Sequence, residues 1–306
     1  MYKRLLYTIC AVCMACGFVG CSEDKLDSST VIAVGTTQEN DFDRWLYANY
    51  VAPYNIQFKY KYEEIESDLN YYTIPADYNM SIKMAHLVKY LCIEAYDEVG
   101  GTVFTRSYFP KMFFLIGEWE YRNNGTFILG TAEGGKKILL TGINVMDKVL
   151  AGTYDPTMSV AGALNHYYIK TIHHEFVHIV NQTRPYTTEF KQITGSGYVA
   201  DSWSEAPYDT TYLKRGFITA YAQHSDTEDF AEMASEYMVE PDSVWNEWIK
   251  QAGTDGAALI NQKLEIVKDY YMNTWNIDLD KMRKSIWRRQ DDVMKGKVSL
   301  TDLTVN

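Results

Sequence analysis

The apolar positions in the first half of the chain alternate in one short segment and then recur with helical spacing. Residues 56 to 62 place an apolar or aromatic side chain at every second position, which predicts a β-strand. A later series recurs at intervals of three and four residues, at Met84, Leu87, Leu91 and Ala95. This spacing predicts a helix, and Gly100-Gly101 is expected to end it because glycine readily adopts the backbone conformation of a helix C-terminus.

Three apolar segments separated by turn sequences follow the predicted helix. They comprise residues 112–121, 126–129 and 137–143, with Asn124-Gly125 and Gly134-Gly135 between them. The Asn-Gly pair favours the type I′ turn of a two-residue β-hairpin. The pattern therefore predicts a small antiparallel meander.

The second half of the chain is predicted to be mostly helical. Residues 183–216 are the exception, since they are rich in Gly, Ser, Thr and aromatic residues without a clear period. We expect a long loop with short elements there, and such loops are unusual unless they are functional. Helices are then predicted at residues 228–239, 257–275 and 279–293. A sheet with helices followed by a helical region indicates an α+β fold.

The N-terminus has the pattern of a lipoprotein signal peptide. Two basic residues precede an apolar stretch at residues 5–19 that is short for a transmembrane helix. The stretch leads into Phe18-Val19-Gly20-Cys21, which is similar to the bacterial lipobox, in which the cysteine after the cleavage site is lipidated. An ordinary secretory signal is the alternative. We expect a signal peptide at 1–20, a lipidated tether at 21–40 and one domain at 41–306.

The net charge argues against one class of partner, and the number of cysteines argues against internal disulfides. Loss of Lys3 and Arg4 with the signal would leave 27 basic and 40 acidic side chains, a net charge of −13. Such a surface argues against nucleic acid as a partner, because nucleic acid is itself a polyanion. Cys92 would be the one cysteine left after removal of the signal and lipidation of Cys21, so we expect no internal disulfide. Nothing in the pattern requires an oligomer, and we expect a monomer.

The sequence His174-Glu175-Phe176-Val177-His178 has the spacing of a metal-binding helix. Residues four apart lie on one helix face, so His174 and His178 can bind one zinc ion together. Glu175 can lie beside a metal-activated water and accept its proton. The apolar residues of the segment lie roughly opposite the imidazoles, at Ile169, Ile172, Phe176 and Ile179. The alternative is a pair of histidines satisfied by hydrogen bonds in the core.

A catalytic zinc needs a third protein ligand and an open coordination position. The extended motif HExxHxxGxxH is excluded, because Asn181 and Arg184 stand where its Gly and third His would be. Glu228 and Glu232 lie one turn apart, opposite an apolar stripe on the predicted helix. This favours Glu228 as the third ligand and Glu232 as the acceptor of a hydrogen bond from a ligand imidazole.

Other assignments compete with this one. Ser225 and Glu228 also fit a capping box, which would leave both glutamates on a solvated face. Other acidic residues could replace Glu228 as the ligand, namely Glu189, Glu205 and Asp229. His173 is rotated by about 100° from His174 on a helix and is given no metal role. The remaining histidines of the domain are expected to be structural, at His86, His166 and His224.

Residues 216–221, Gly-Phe-Ile-Thr-Ala-Tyr, and 228–232, Glu-Asp-Phe-Ala-Glu, resemble the gluzincin group that contains the anthrax-lethal-factor-like peptidases. The predicted tether begins with an acidic run, Ser22-Glu23-Asp24. With the lipobox and this acidic tether, the chain resembles the substrate-import-associated zinc metallohydrolase lipoproteins of Bacteroidetes. The resemblance implies a zincin-like α+β fold of two lobes, with a mixed or antiparallel N-terminal sheet, a mostly helical C-terminal lobe and a cleft near residues 174–232. It also implies that Tyr221, seven residues before Glu228, faces the metal and stabilises an oxyanion.

The resemblance further implies a zinc-dependent hydrolase, a peptidase, in which Glu175 is the general base. It would be an outer-membrane lipoprotein exposed at the cell surface through Cys21. Its partners would be a peptide or protein substrate and a TonB-dependent transporter with its surface-binding lipoprotein. The alternatives are a non-catalytic peptide- or glycopeptide-binding lipoprotein on the same scaffold and a structural accessory subunit. Glu175 argues against a pure binding protein, which has no need of a general base.

Overall fold

The computed structural model describes residues 39–68, 70–122, 126–133 and 136–305, and it contains a small mixed β-sheet. The strands are β1 (Gln57–Lys59), β2 (Met112–Leu115), β3 (Glu120–Tyr121), β4 (Phe127–Ile128), β5 (Gly130–Glu133) and β6 (Lys137–Leu140). The larger sheet has the order β1-β2-β6-β5, and β3 and β4 form a separate pair. Strands β1, β2 and β6 are parallel, whereas β5 is antiparallel to β6. The strand β5 is therefore an edge of the larger sheet.

The strand directions correct the predicted antiparallel meander. The neighbours β2 and β6 are parallel, with Phe113 opposite Ile138. The segment between them supplies the long crossover that parallel strands require. Both strands are almost continuously apolar and buried, which is typical of parallel sheets rather than of hairpins. The pairs β3–β4 and β5–β6 are antiparallel, as predicted.

Some predicted features differ in extent or lie outside the described residues. The strand predicted at 56–62 is confirmed in its centre, as β1. The strand predicted at 126–129 is divided, because Phe127 and Ile128 pair with β3 while Gly130 begins β5. Outside the described residues lie the predicted signal peptide 1–20, Cys21 with the tether up to residue 38, and the turns Asn124-Gly125 and Gly134-Gly135.

Helices make up most of the described chain, and the predicted α+β class is confirmed. The α-helices are α1 (Asp41–Leu46), α2 (Ala52–Tyr54), α3 (Tyr78–Leu87), α4 (Glu94–Gly100), α5 (Thr102–Tyr108), α6 (Met146–Leu150), α7 (Val160–Leu164), α8 (Lys170–Thr183), α9 (Glu189–Ile193), α10 (Tyr208–Thr211), α11 (Asp226–Val239), α12 (Asp242–Trp275) and α13 (Leu279–Met294). Segments of π-helix join α1 to α2, α3 to α4 and α7 to α8, at Tyr47–Val51, Val88–Ile93 and Asn165–Ile169. None of the described helices combines the length and the apolar character that a membrane crossing requires.

The helices predicted in the second half are confirmed as α11, α12 and α13. The range of α12 begins at Asp242 rather than at residue 257, because it comprises two helical segments that meet at a kink at Gly253, where the backbone is not helical. The φ of +69° at Gly253 is one that glycine adopts without a side-chain clash. The predicted end of the earlier helix is also confirmed, since α4 ends at Gly100 and Gly101 has a φ of +82°. Residues 183–216 contain α9, α10 and short 3₁₀ turns, in agreement with the predicted loop with short elements.

One face of α8 is fixed in the core. Phe176 is 1 % exposed, and its ring centroid lies 4.8 Å from that of Tyr96 and 5.0 Å from that of Phe109. The other apolar residues predicted to share this face are also buried, at Ile169, Ile172 and Ile179. Because this face packs against α4 and the segment after α5, the opposite face of α8 is left to line a cleft.

Candidate metal centre

Helices α8 and α11 bring three metal-ligating side chains together. The Nε2 atoms of His174 and His178 are 3.1 Å apart, and Oε2 of Glu228 lies 3.0 Å from the first and 3.3 Å from the second. Ligand atoms around a tetrahedral zinc at about 2.0–2.1 Å are about 3.3 Å from one another. Two imidazoles and a carboxylate at these separations fit one zinc ion. Within the described residues, no other group of three or more His, Cys, Asp or Glu side chains converges in this way.

The start of α11 directs Glu228 at the two imidazoles. Ser225 is the N-cap of this helix, and its Oγ accepts a hydrogen bond of 3.3 Å from the backbone N–H of Glu228. The cap uses only the backbone of Glu228 and leaves its carboxylate to face the imidazoles. The capping and ligand interpretations of this sequence are therefore compatible.

Glu232 lies behind His174, one turn along α11 from Glu228. It is 1 % exposed, and its Oε1 is 2.7 Å from Nδ1 of His174. The hydroxyl of Thr219 donates to its Oε2 at 2.8 Å, and Nζ of Lys170 donates to its Oε1 at 2.9 Å. A carboxylate at Nδ1 holds a proton there, so a metal ion that displaced the Nε2 proton would find the Nε2 lone pair directed toward it.

Lys170 and Thr219 were not predicted as parts of the site. Lys170 precedes His174 by four residues, so helical spacing alone could have placed it on the same face. Thr219 lies in an irregular segment, where no periodicity indicates the direction of a side chain.

The site concentrates negative charge around two imidazoles. Burial opposes the charged form of His174, but its hydrogen bonds to Glu228 and Glu232 raise its pKa to about 10. Burial likewise opposes ionisation of Glu228, yet the two imidazoles hold its pKa well below its usual range. Burial raises the pKa of Glu175, although the nearby imidazoles act in the opposite direction. Three carboxylates at such close range favour occupation by a divalent cation.

The edge strand β5 runs beside α8. The backbone N–H of Ala132 donates to the Glu175 carboxylate. The N–H of Thr141 donates to the carbonyl oxygen of Leu129 at 3.2 Å. In an antiparallel pair, residues that hydrogen-bond to the partner strand alternate with residues whose backbone groups point away from it. Counting from Leu129, every second residue therefore bonds to β6. The backbone groups of Gly130 and Ala132 therefore face the cleft. A Cβ at Gly130 would lie 2.8 Å from Cγ2 of Thr171 and 2.6 Å from the carbonyl oxygen of Leu139, so glycine permits this close approach.

Tyr221 lies on the cleft wall near His174. The ring centroids of Tyr221 and His174 are 6.2 Å apart, and those of Tyr221 and Trp203 are 5.1 Å apart. Burial and the nearby carboxylates raise the pKa of Tyr221, so its hydroxyl stays protonated and can donate a hydrogen bond. The cleft has a volume of about 1260 Å³, and it is lined by every predicted site residue: His174, Glu175, His178, Tyr221, Glu228 and Glu232.

The competing acidic residues lie elsewhere. Asp229 is fully buried, and its Oδ2 is 2.5 Å from Nζ of Lys263, which also donates to the carbonyl oxygen of Gly216 at 2.9 Å. The hydroxyl of Tyr198 donates to the same carboxylate at 2.9 Å. Glu189 and Glu205 are exposed and do not line the cleft.

The other histidines occupy varied positions. His173 is buried on the core side of α8, with its Nδ1 3.1 Å from the hydroxyl of Tyr96. His86 packs on Trp45, with the ring centroids 4.2 Å apart. His224 lies 5.7 Å from Tyr221 between ring centroids. His166 lines the cleft, which the sequence did not predict.

Comparison with known proteins identifies the family to which the chain belongs. The model of a family described as "Putative zinc-binding metallo-peptidase" matches residues 35–280. The crystal structure of a putative zinc-binding metallo-peptidase from Bacteroides caccae is 37 % identical, covers 86 % of this chain and 96 % of that chain, and has a TM-score of 0.70. No protein of curated function matches the chain. The chain therefore belongs to the zinc-binding metallo-peptidase family.

Proposed function

We propose that this protein is a peptidase of gluzincin type on a zincin-like fold, with His174, His178 and Glu228 as the ligands of its zinc. The observation that carries the proposal is the convergence of these three side chains within 3.3 Å, in a cleft that also exposes Glu175 and an edge strand. When bound there, zinc lowers the pKa of a water molecule and polarises a carbonyl oxygen.

Glu175 transfers the proton during hydrolysis. The water oxygen forms a bond to the peptide carbonyl carbon, the C–N bond breaks, and the Glu175 carboxylate carries the proton from the water to the leaving nitrogen. Its burial raises its pKa, which strengthens it as a base. The N–H of Ala132 holds its carboxylate in position. Tyr221 donates a hydrogen bond to the negative charge that develops on the carbonyl oxygen.

The edge strand β5 positions the substrate. An extended peptide can pair with the backbone groups of Gly130 and with the carbonyl oxygen of Ala132, as an added strand of the sheet, while the N–H of Ala132 stays with Glu175. Such pairing does not depend on side-chain identity, so it suits a peptide substrate. A non-catalytic peptide- or glycopeptide-binding protein would use the same edge, but Glu175 and Tyr221 would then have no chemical role.

The lipobox and the acidic tether support a location at the cell surface. We place Cys21 as the lipid anchor in the outer membrane, and we place the enzyme, as a monomer, beside a TonB-dependent transporter and its surface-binding lipoprotein. Substitution Cys21→Ala is expected to release the protein from the membrane fraction. Protease treatment of intact cells tests exposure, since a protein on the inner leaflet would be protected.

The metal content of the purified protein tests the site itself. We expect about one zinc per chain in the wild type and none in Glu228→Ala. Hydrolysis of synthetic peptides by the zinc-loaded wild type is the second expected result. A wild type that holds no zinc after incubation with excess metal would overturn the metal site. Zinc binding without cleavage would favour the alternative of a non-catalytic peptide- or glycopeptide-binding protein.

A further inference from the structure

Glu236 is a carboxylate of the cleft that lies outside the metal centre and shares its nearest cation with another carboxylate. It lies on α11 two turns beyond Glu228, which is about 12 Å along the helix. Its side chain is 10 % exposed and lines the cleft. Among the described residues, no side chain or backbone group forms a hydrogen bond with this carboxylate. The cation beside it is Nζ of Lys170, at 3.9 Å, which is too long for a hydrogen bond.

The cation beside Glu236 is already engaged by another carboxylate. Lys170 donates to Glu232 at 2.9 Å, and Glu232 in turn lies 2.7 Å from His174. The group of Lys170, Glu232 and Glu236 therefore has one carboxylate more than it has cations. An ionised carboxylate that is removed from water without a counterion is unstable, and burial raises the pKa of Glu236 to about 8.

Aromatic side chains line the same cleft. Tyr212 lies close enough to Glu236 for the charge of that carboxylate to raise the tyrosine pKa, after burial as the main cause. Trp248, on α12, also lines the cleft. Aromatic faces attract ammonium and guanidinium groups. These walls therefore favour a positively charged group, which would give Glu236 a cation of its own.

We propose that Glu236 selects substrates with a positively charged group, an ammonium or a guanidinium, which enters the Lys170 end of the cleft and pairs with its carboxylate. This proposal rests on the proposed function, since it concerns the same cleft. An extended peptide advances about 3.3–3.6 Å per residue. The charged group can therefore be the side chain of a Lys or Arg near the cleaved bond, or an N-terminal ammonium about three residues away.

Paired peptides test the charge requirement in the zinc-loaded full chain. One synthetic library of octapeptides, acetylated and amidated at its ends, contains Lys at each position in turn, and a matched library contains norleucine instead. We expect kcat/KM to be at least about tenfold higher for the best Lys peptide than for its norleucine partner. In Glu236→Gln this ratio should fall to about one. A third library with norleucine and a free N-terminus distinguishes the terminal ammonium from the side chain.

Glu240→Gln is the matched control. Glu240 is the C-cap residue four positions after Glu236 and does not line the cleft. Its charge is one cause of the raised pKa of Glu236, so its removal should leave the lysine preference in place or increase it. An unchanged ratio in Glu236→Gln, or a wild type without preference for either charged group, would overturn the proposal.

Measurements of peptide binding distinguish the proposed charge selectivity from the proposed peptidase activity. The affinities of fluorescent Lys and norleucine peptides for Glu175→Gln are measured with and without the additional substitution Glu236→Gln. Selective binding that depends on Glu236, without cleavage by the wild type, would support the selectivity and refute the peptidase. Cleavage without selectivity would support the peptidase and refute the role of Glu236. Absence of both cleavage and binding would overturn both.

Discussion

Helices α8 and α11 each place two neighbouring residues of similar chemistry in different surroundings. On α8, burial lowers the pKa of His173 to about 3 in the core, whereas the carboxylates of the cleft outweigh burial and raise that of His174 to about 10. On α11, Glu228 faces the imidazoles while Asp229 pairs with Lys263 in the interior. A rotation of about 100° per residue separates the members of each pair. The helix face, rather than the residue type, decides what each side chain does.

The two faces also differ in how their polar groups are satisfied. In the core, the chain supplies the partners of Asp229, namely the Lys263 ammonium and the Tyr198 hydroxyl. In the cleft, the donor atoms of His174, His178 and Glu228 face one another at 3.0–3.3 Å. Such an arrangement can be completed by an ion from outside. Substitutions should therefore affect stability on one face and chemistry on the other.

The largest effect is expected from Glu175→Gln. The amide cannot accept the proton of the attacking water, so peptide hydrolysis should fall by at least about 10²- to 10⁴-fold. Zinc content should stay at the wild-type value, because Glu175 is not among the three convergent ligands. Both quantities are measured on the same preparation. Full activity in this variant would remove Glu175 from its role as the base.

Substitution of the neighbours Glu228 and Asp229 by alanine tests the comparison directly. Glu228→Ala should lose zinc and keep most of its folding stability. Asp229→Ala should keep zinc but lose about 3–5 kcal/mol of unfolding free energy, because it leaves the buried Lys263 without a counterion. Metal analysis and denaturant unfolding provide the two measurements. The reverse pattern would show that the ligand carboxylate is Asp229.

Removal of the metal is the third test, with stability as its measure. A ligand present at about 1,000 times its Kd stabilises the folded state by about 4 kcal/mol. For a chain of this length, that corresponds to a shift of roughly 10 °C in the melting temperature on chelation. Glu228→Ala should show no such shift. A wild type with the same melting temperature before and after chelation would indicate that the three donors hold no ion.

Periodicity in the sequence was sufficient to predict the two helix faces. The spacing placed His174 with His178 on one helix face and Glu228 with Glu232 on another. That the two faces meet was inferred from the need for a third zinc ligand, and the structure brings the two pairs within contact distance. The spacing could not indicate what lies behind them, because Lys170 meets Glu232 across 62 residues and Thr219 belongs to an irregular segment. Nor could it indicate strand direction, since a continuous apolar run such as Phe113-Phe114-Leu115 has no feature that distinguishes a parallel from an antiparallel neighbour.

The smallest predicted effect concerns Glu236. This carboxylate of the cleft has no cation as close to it as Lys263 is to Asp229. Its pKa in the folded protein is raised to about 8, from about 4.5 in the unfolded chain. The folded state therefore holds a proton that the unfolded state has released, and stability is lost as the pH rises from about 4.5 to 8. Glu236→Gln removes this dependence. It should match the wild type near pH 4 and exceed it at pH 8 by on the order of 1 kcal/mol or more, as measured by urea unfolding. Equal stability of the two proteins at pH 8 would show that Glu236 has a counterion within the folded chain, and the cleft would then differ less from the core than we infer.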